Sequence, residues 1–178
     1  IDEFKDMMTF NNQKTFAKIG IKGEKFLKMA NAGSRENSRT PVQWDDSDYA
    51  GFSTVEPWFN LNENYKEINV AQAEADENSI LNYYRKLLKF RKEHEVAIYG
   101  DYKEHYKNSD KLYVYERNLD GEKILVVCSF SEKSVNFEAP AGIDLSKGEL
   151  VLANYKLTPL TNNSFVTRPY ECRVYYFK

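Results

Sequence analysis

The order of hydrophobic and polar positions divides the chain into a helical and irregular part and a part built of short strands. Between Ser79 and Glu93, apolar residues recur at spacings of three and four, which predicts an amphipathic helix; they are Ile80, Tyr83, Tyr84, Leu87, Leu88 and Phe90. Lysine and arginine concentrate in its last turns, where the helix dipole favours positive charge. An apolar face of this size predicts that the helix packs on a substantial core.

After residue 95 the apolar pattern changes from helical spacing to alternation, which is typical of strands with one buried face. Residues 111–117 and 124–130 lie on either side of turn residues 118–121, so they predict a hairpin. Further strands are predicted at 97–102, 134–138, 149–153, 164–167 and 173–177. Short strands separated by turns at this spacing predict an antiparallel β-sandwich.

The first 33 residues carry apolar clusters at helical spacing and predict two or three short helices. Residues 34–68 instead hold turn-forming residues and both tryptophans, namely Pro41, Gly51, Pro57, Trp44 and Trp58. They predict an irregular loop, and a loop of roughly 35 residues is uncommon in a compact domain and usually functional. Asn69, followed three residues later by Gln72, then predicts a capped short helix.

Composition narrows the possible functions. The net charge is −2 and no basic stripe is present, which argues against a nucleic-acid partner. No apolar run approaches the ~18 residues that a membrane helix needs, so no membrane partner is expected. Two cysteines and two histidines are too few for a disulfide framework or a zinc site. We therefore expect no metal, no cofactor, reduced Cys128 and Cys172 in strands, and a cytoplasmic protein.

The most specific motif is formed by residues 34–45, which read SRENSRTPVQWD. It closely resembles the SRDNxRTPMQWD signature of α-glucosidases of the α-amylase superfamily, a group that includes oligo-1,6-glucosidase, dextran glucosidase and trehalose-6-phosphate hydrolase. The resemblance continues through residues 50–52, 57–58, 62–70, 79–91 and 168–171, so it covers nearly the whole chain in order. Glu36 stands where the family usually has Asp, and Val42 stands where Met is usual.

The resemblance implies a (β/α)8 barrel followed by a C-terminal β-sandwich, and therefore an α+β fold for this chain. Residues 1–95 would be the C-terminal end of the catalytic barrel, with a long loop on the active-site side and the last barrel helix. Residues 96–178 would be the all-β sandwich domain. The chain starts without methionine, so we expect a C-terminal fragment whose residues 1–95 pack against the missing barrel or a neighbouring copy.

The family that this chain resembles hydrolyses α-glucosidic bonds with retention, using a carboxylate nucleophile and a carboxylic acid–base. None of the Asp and Glu residues of this chain matches a catalytic motif of that family. The resemblance therefore implies that the nucleophile and the acid lie upstream, and that this chain alone is inactive. The expected partner of the parent enzyme is a gluco-oligosaccharide with α-1,6 or α-1,4 bonds, and an oligo-1,6-glucosidase is favoured.

Arg39 is the candidate substrate-binding residue, because the matching arginine of relatives donates hydrogen bonds to the non-reducing-end glucose. A guanidinium offers a planar fork of donors that suits neighbouring hydroxyls. Thr40 precedes Pro41 and is therefore biased towards an extended conformation, which would hold the backbone beside Arg39. The candidates for loop support or an outer subsite are Arg35, Trp44, Asn64 and Tyr65.

Two other functions stay open at this point. The β half could be a non-catalytic carbohydrate-binding or structural domain, which would carry an exposed aromatic row on one sheet face if it bound sugar. The chain could also belong to a non-catalytic relative, since the superfamily includes heavy chains of amino-acid transporters. The complete Arg-Thr-Pro sequence at residues 39–41 favours the enzyme.

Overall fold

The computed structural model describes residues 4–156 and 159–178, so the first three residues of the predicted helical segment lie outside the described residues. The chain falls into two compact units, Ile1–Asp76 and Glu77–Lys178, which we call the N-terminal unit and the C-terminal unit. The division lies before the predicted helix at residues 79–93, which belongs to the same unit as the strands. The expected domain boundary at residues 95 and 96 stays a prediction about the longer enzyme.

The N-terminal unit begins with two helices, as predicted. Helix α1 spans Met7–Lys18, and the Asp6 side chain caps it by accepting a hydrogen bond from the Met8 backbone N–H at 3.0 Å. Helix α2 spans Gly23–Gly33. The rings of Phe16 and Phe26 pack at a centroid distance of 6.3 Å, and Phe26 is buried.

The segment that follows α2 is irregular, as predicted, apart from short 3-10 turns at Arg35–Ser38, Asp48–Gly51 and Glu63–Lys66. Helix α3 then spans Val70–Ala75. The Asn69 carboxamide oxygen accepts a hydrogen bond from the Gln72 N–H at 2.9 Å, which confirms the predicted cap. The Gln72 side-chain amide nitrogen donates to the Lys66 carbonyl at 2.9 Å.

The C-terminal unit opens with helix α4, Ile80–Glu93, which begins one residue after its N-cap Ser79. Its apolar face is only partly covered within the unit. Phe90 is buried against the sheet, whereas Ile80 is 89% exposed and Tyr84 is 56% exposed. The prediction of an amphipathic helix is therefore confirmed, but part of its apolar stripe lies in solvent.

The strand predicted at residues 97–102 is wrong. A single helical turn, α5, spans Val96–Tyr99, and strand β1 begins only at Asp101 and spans Asp101–His105. The Arg117 guanidinium donates hydrogen bonds of 2.9–3.1 Å to the carbonyls that end this turn, those of Ala97, Ile98 and Gly100. Arg117, which is distant in sequence, thus takes the role that a neighbouring strand would have: it donates hydrogen bonds to carbonyls that the alternating pattern of residues 97–102 predicted to pair within a sheet.

The other predicted strands are confirmed within one or two residues. The larger antiparallel sheet has the order β1-β2-β3-β7-β5; its remaining strands are β2 (Leu112–Leu119), β3 (Glu122–Ser129), β5 (Glu149–Ala153) and β7 (Cys172–Phe177). The hairpin between β2 and β3 turns through Asp120 and Gly121 at φ of 48° and 89°. Two consecutive positive φ values suit an Asp-Gly turn and match the twist of the flanking strands.

A second, two-stranded sheet pairs β4 (Val135–Glu138) with β6 (Ser164–Thr167). One buried cluster lies between the two sheets and includes Val114, Leu125, Phe137 and Phe165. A second cluster covers the opposite face of the larger sheet, where Phe90 and Val96 pack on Val126 and Val174. The chain is therefore an α+β fold with two packed antiparallel sheets, as predicted.

No helix in the described part of the chain is long and apolar enough to cross a membrane.

Candidate functional site

Arg39 lies at the end of the 3-10 turn Arg35–Ser38 in the N-terminal unit. Ser34 caps this turn by accepting a hydrogen bond from the Glu36 N–H at 3.2 Å, and the Arg39 N–H closes it on the Glu36 carbonyl at 2.9 Å. The next two residues leave the turn, and Pro41 is buried. The backbone of Arg39 is thus held on both sides, by a closed turn before it and a buried proline after it.

The Arg39 side chain is exposed, and among residues 4–156 and 159–178 no group accepts a hydrogen bond from its guanidinium. Its charge acts at longer range on Asp6 and contributes to the lowered pKa of that carboxyl. A fixed backbone with an uncommitted guanidinium leaves all five donors of the fork available to a ligand.

Arg35 is in the opposite situation, because Asp6 occupies its guanidinium. Arg35 Nε and Nη2 donate hydrogen bonds to the Asp6 carboxylate at distances of 2.9–3.1 Å. The Asp6 pKa is lowered first by the hydrogen bond from the Met8 N–H and then by Arg35. This pair ties the start of α1 to the turn that carries Arg39.

Gln43 connects the segment after Arg39 to residues 62–68. Its amide nitrogen donates to the Ile68 carbonyl and to Asn64 Oδ1, the latter at 3.3 Å, and its amide oxygen accepts from Asn62 Nδ2 at 3.1 Å. Every contact of this side chain is to the loop itself, so Gln43 is a positioning residue in the described structure. Asn64, an outer-subsite candidate, is one of its partners.

Backbone hydrogen bonds and a strained turn hold the same segment. The carbonyls of Gln43 and Trp44 accept from Val70 and Ala71, at 2.8 and 2.9 Å. The turn at residues 49–51 has three consecutive positive φ values, including 56° at Ala50, which is fully buried. A Cβ added at Gly51 would lie 2.7 Å from the Asp45 carboxylate oxygens, so only glycine fits there.

The aromatic candidates differ in exposure. Trp44 is 50% exposed, and Trp58, which contacts the Phe59 ring, is 72% exposed. Tyr65 is half-buried, and its carbonyl accepts a hydrogen bond from Asn69. An open cleft of about 420 Å³ lies beside Thr40, and its lining is rich in amides from Asn31, Asn37, Asn60 and Asn62. Amide groups both donate and accept, so this lining suits a ligand with many hydroxyls.

The carboxylates of this region serve as structural acceptors. Glu36 accepts from the Lys5 backbone N–H at 2.6 Å, and Asp45 accepts from the Ser47 hydroxyl and backbone N–H. These Ser47 contacts lower the Asp45 pKa, the hydroxyl having the larger effect. A general acid for glycoside hydrolysis needs a raised pKa, so neither Asp45 nor Asp6 is suited to that task. The described residues contain no group of three or more potential metal ligands.

Two residues that organise this region were not found from the sequence. Asp6 lies 29 residues before its partner Arg35, and no local pattern links them, although an Asp before a helix does indicate a cap. Asn62 holds Gln43, and its amide also reaches the Thr40 hydroxyl at 3.4 Å. The match to the superfamily motif indicated the importance of residues 62–70 as a block but gave no role to Asn62.

Known proteins resemble this chain in sequence and in fold. Residues 6–100 match the family "Alpha amylase, catalytic domain". The chain is 40% identical to an oligo-1,6-glucosidase of Halalkalibacterium halodurans over 98% of its own length and 31% of that protein. The structure of trehalose-6-phosphate hydrolase from Bacillus licheniformis aligns over 98% of this chain and 32% of that one, with a TM-score of 0.88 and 34% identity. An isomaltulose synthase structure from Klebsiella sp. LX3 aligns with a TM-score of 0.86 and 32% identity, covering 99% of this chain and 32% of that one.

This chain therefore belongs to the α-amylase family. It spans about a third of the length of the curated relatives that it matches.

Proposed function

We propose that this chain is the C-terminal part of a retaining α-glucosidase that hydrolyses α-1,6 or α-1,4 bonds of short gluco-oligosaccharides. Relatives named oligo-1,6-glucosidase, at 40% identity, and trehalose-6-phosphate hydrolase, at 34%, support the reaction class. The higher identity favours the α-1,6 activity. In this proposal residues 1–95 complete the catalytic barrel, residues 96–178 form the sandwich domain, and the enzyme is cytoplasmic.

The contrast between two neighbouring arginines carries the proposal. The Arg35 guanidinium donates hydrogen bonds to the Asp6 carboxylate, whereas the Arg39 guanidinium is exposed and makes no hydrogen bond within the described residues. An arginine held by a closed turn and a buried proline is pre-organised to bind, because little backbone freedom is lost when a ligand arrives. Its planar donors match neighbouring hydroxyls on a glucose ring, and the amide-lined cleft beside Thr40 offers further donors and acceptors.

Arg39 binds and orients substrate in this proposal and takes no part in proton transfer, since a guanidinium stays protonated in proteins. The nucleophile and the acid–base would belong to the other two thirds of the enzyme. The chain alone is then inactive, because it holds a binding group without the two carboxyl groups that retaining hydrolysis requires.

Replacement of Arg39 in the full-length enzyme tests the assignment. Arg39→Ala should lower kcat/KM for isomaltose by about 100-fold, because charge-assisted hydrogen bonds to the sugar are lost. Arg39→Lys, which keeps the charge without the fork, should recover only part of the activity. Thermal unfolding of both variants should match that of the parent, and an unchanged kcat/KM for Arg39→Ala would make Arg39 a structural residue.

The 178-residue chain itself should not hydrolyse an aryl α-glucoside above the buffer rate. Clear turnover would contradict the proposed division of catalytic groups. The alternative, a carbohydrate-binding β domain, has one observation in its favour. The Tyr115 ring packs on the rings of Tyr102 and Tyr113 at centroid distances of 5.5 and 5.3 Å, and Tyr102 and Tyr113 are exposed. Isomaltotriose binding by this chain that is lost in Tyr113→Ala but kept in Arg39→Ala would favour that alternative.

A further inference from the structure

The two cysteines of the chain face each other on neighbouring strands of the larger sheet, at one end of the pairing between those strands. Cys128 lies on β3 and Cys172 on β7, and they are direct partners in the antiparallel register. Their Sγ atoms are 3.3 Å apart, and both are half-buried free thiols. Both belong to the C-terminal unit, whereas Arg39 belongs to the N-terminal unit, so the chemistry of these thiols is independent of the proposed function.

The backbone at this pair suits a covalent bond. The adjacent pair, Ser129 and Glu171, is hydrogen-bonded, since the Ser129 N–H donates to the Glu171 carbonyl at 2.8 Å. Hydrogen-bonded and non-hydrogen-bonded pairs alternate along an antiparallel ladder, so Cys128 and Cys172 form a non-hydrogen-bonded pair. Such pairs have Cα atoms about 4.5 Å apart, within the range that disulfides span. The sulfurs need to approach by only about 1.2 Å to reach the S–S bond length of about 2.05 Å.

From this geometry we infer that Cys128 and Cys172 are a redox modification site, at which exchange with a low-molecular-weight disulfide forms a reversible intramolecular disulfide. One cysteine, as its thiolate, attacks one sulfur of the small disulfide, which forms a mixed disulfide and releases one small thiolate. The other cysteine then loses its proton to solvent and attacks the protein sulfur of the mixed disulfide, which releases the second thiolate. The protein loses two electrons and two protons, and the small disulfide is reduced to two thiols.

The contact between the two thiols favours exchange at this site. It lowers the pKa of the Cys172 thiol, and burial opposes this effect. Because the thiolate is the nucleophile in exchange, the cysteine that ionises attacks the small disulfide, and the other sulfur, 3.3 Å away, resolves the intermediate.

The simpler interpretation is that both cysteines serve only as small apolar residues in a packed sheet, a common role for free cysteine. The two interpretations differ in what oxidation does. A bond between β3 and β7 would close a loop between positions 44 residues apart in sequence and restrict the unfolded chain. Oxidation should then raise the melting temperature by about 5–15 °C, whereas packing alone predicts no change.

The test equilibrates the folded 178-residue protein with mixtures of oxidised and reduced glutathione. We expect both thiols to disappear together, a peptide map without reductant to join the peptides that hold Cys128 and Cys172, and the melting temperature to rise. Dithiothreitol should restore the thiols and the lower melting temperature. Thiols that persist in fully oxidised glutathione, or that react only after the protein is unfolded in urea, would overturn the inference.

Two matched variants test the role of the second thiol. Cys128→Ala and Cys172→Ala should each accumulate a glutathione adduct at the remaining cysteine, because the resolving thiol is missing. A disulfide that joins two molecules of the unsubstituted protein would contradict the proposed intramolecular bond. The melting-temperature shift of the unsubstituted protein tests the inference even if neither variant folds.

Discussion

The N-terminal unit and the C-terminal unit are each stabilised by a different kind of internal contact. The C-terminal unit has two clusters of buried hydrophobic side chains, one on each face of its larger sheet. Among the described residues of the N-terminal unit, only Phe26 and Ala50 are buried hydrophobics. That unit relies on polar contacts instead, such as those of Gln43, Asn69 and Arg35. Hydrogen bonds contribute about 1 kcal/mol each, so a unit with few buried hydrophobics has little stability of its own.

The two units also differ in the burial of their arginine–carboxylate ion pairs. Arg35 and Asp6 lie 2.9 Å apart with side-chain exposures of 53% and 8%, whereas Arg173 and Glu171 lie 2.8 Å apart with 1% each. The distances are nearly equal, but only in the second pair are both side chains shielded from water. In the C-terminal unit the Arg173 guanidinium also covers the Phe165 ring at 3.7 Å, so it packs as well as pairs. Burial, not distance, decides what each pair contributes.

The largest difference between the units is expected from these two arginines. Arg173→Ala should lower the free energy of unfolding by about 3 kcal/mol, because it breaks one of the two ion pairs of buried Glu171, the other being with Arg168, and removes packed volume. Arg35→Ala should cost much less, because the Arg35 side chain is half-exposed to water. Urea unfolding followed by far-ultraviolet circular dichroism measures both. Equal losses in the free energy of unfolding would show that burial does not determine how much each ion pair contributes. Arg173→Met, which removes the charge but keeps most of the side-chain volume, would distinguish the effect of lost charge from that of lost volume.

A hydrophobic truncation should give the next largest contrast. Leu125 is fully buried between the two sheets, and Leu125→Ala should cost about 3 kcal/mol through lost burial and a residual cavity. Ile19 in the N-terminal unit is 70% exposed, so Ile19→Ala should change the free energy of unfolding by less than about 0.5 kcal/mol. Thermal unfolding monitored by calorimetry compares the two. A large loss for Ile19→Ala would reveal apolar packing of that residue in solution.

The smallest effect is expected from acid titration. Burial opposes ionisation of Glu116, but the basic groups around this carboxyl outweigh burial and hold its pKa below the usual value. The side-chain nitrogens of Lys103, His105 and Lys123 lie 3.2, 3.4 and 3.8 Å from the Glu116 carboxylate oxygens. A carboxyl whose pKa is lowered on folding stabilises the protein above its unfolded pKa, and this contribution is lost as pH falls through the folded pKa. Glu116→Gln should therefore make the free energy of unfolding fall less steeply as the pH decreases. The effect should be about 0–1 kcal/mol for each ion pair between Glu116 and a lysine.

The exposed Glu132 provides the control for this titration, because it is a carboxylate of the same unit outside the Glu116 cluster. Urea midpoints measured from neutral pH down to about pH 3 should fall less steeply for Glu116→Gln than for Glu132→Gln. Asp6 in the N-terminal unit also has a lowered pKa, so Asp6→Asn should change the curve with the same sign. Identical curves for Glu116→Gln and the unsubstituted protein would contradict the assigned cause.

Local signals in the sequence predicted much of this fold because their physical causes are local. The caps at Ser79 and Asn69, the turn at Asp120 and Gly121, and the alternation in β2 and β3 each depend on residues within a few positions. The predicted strand at 97–102 failed because Arg117 terminates a helical turn from another strand. The candidate site was predicted through its motif, while its internal contacts, such as those of Asp6 and Asn62, were not.

The sequence by itself determined the family, the order of helices and strands, and the position of Arg39 between a turn former and a proline. Only the tertiary structure decided which arginine is occupied and which is exposed, and that Cys128 faces Cys172. The physical reason is that caps, turns and periodicity act over one or two turns of chain. The pairing of charges, thiols and amides depends on which distant segments fold against each other, and no short window of sequence records that.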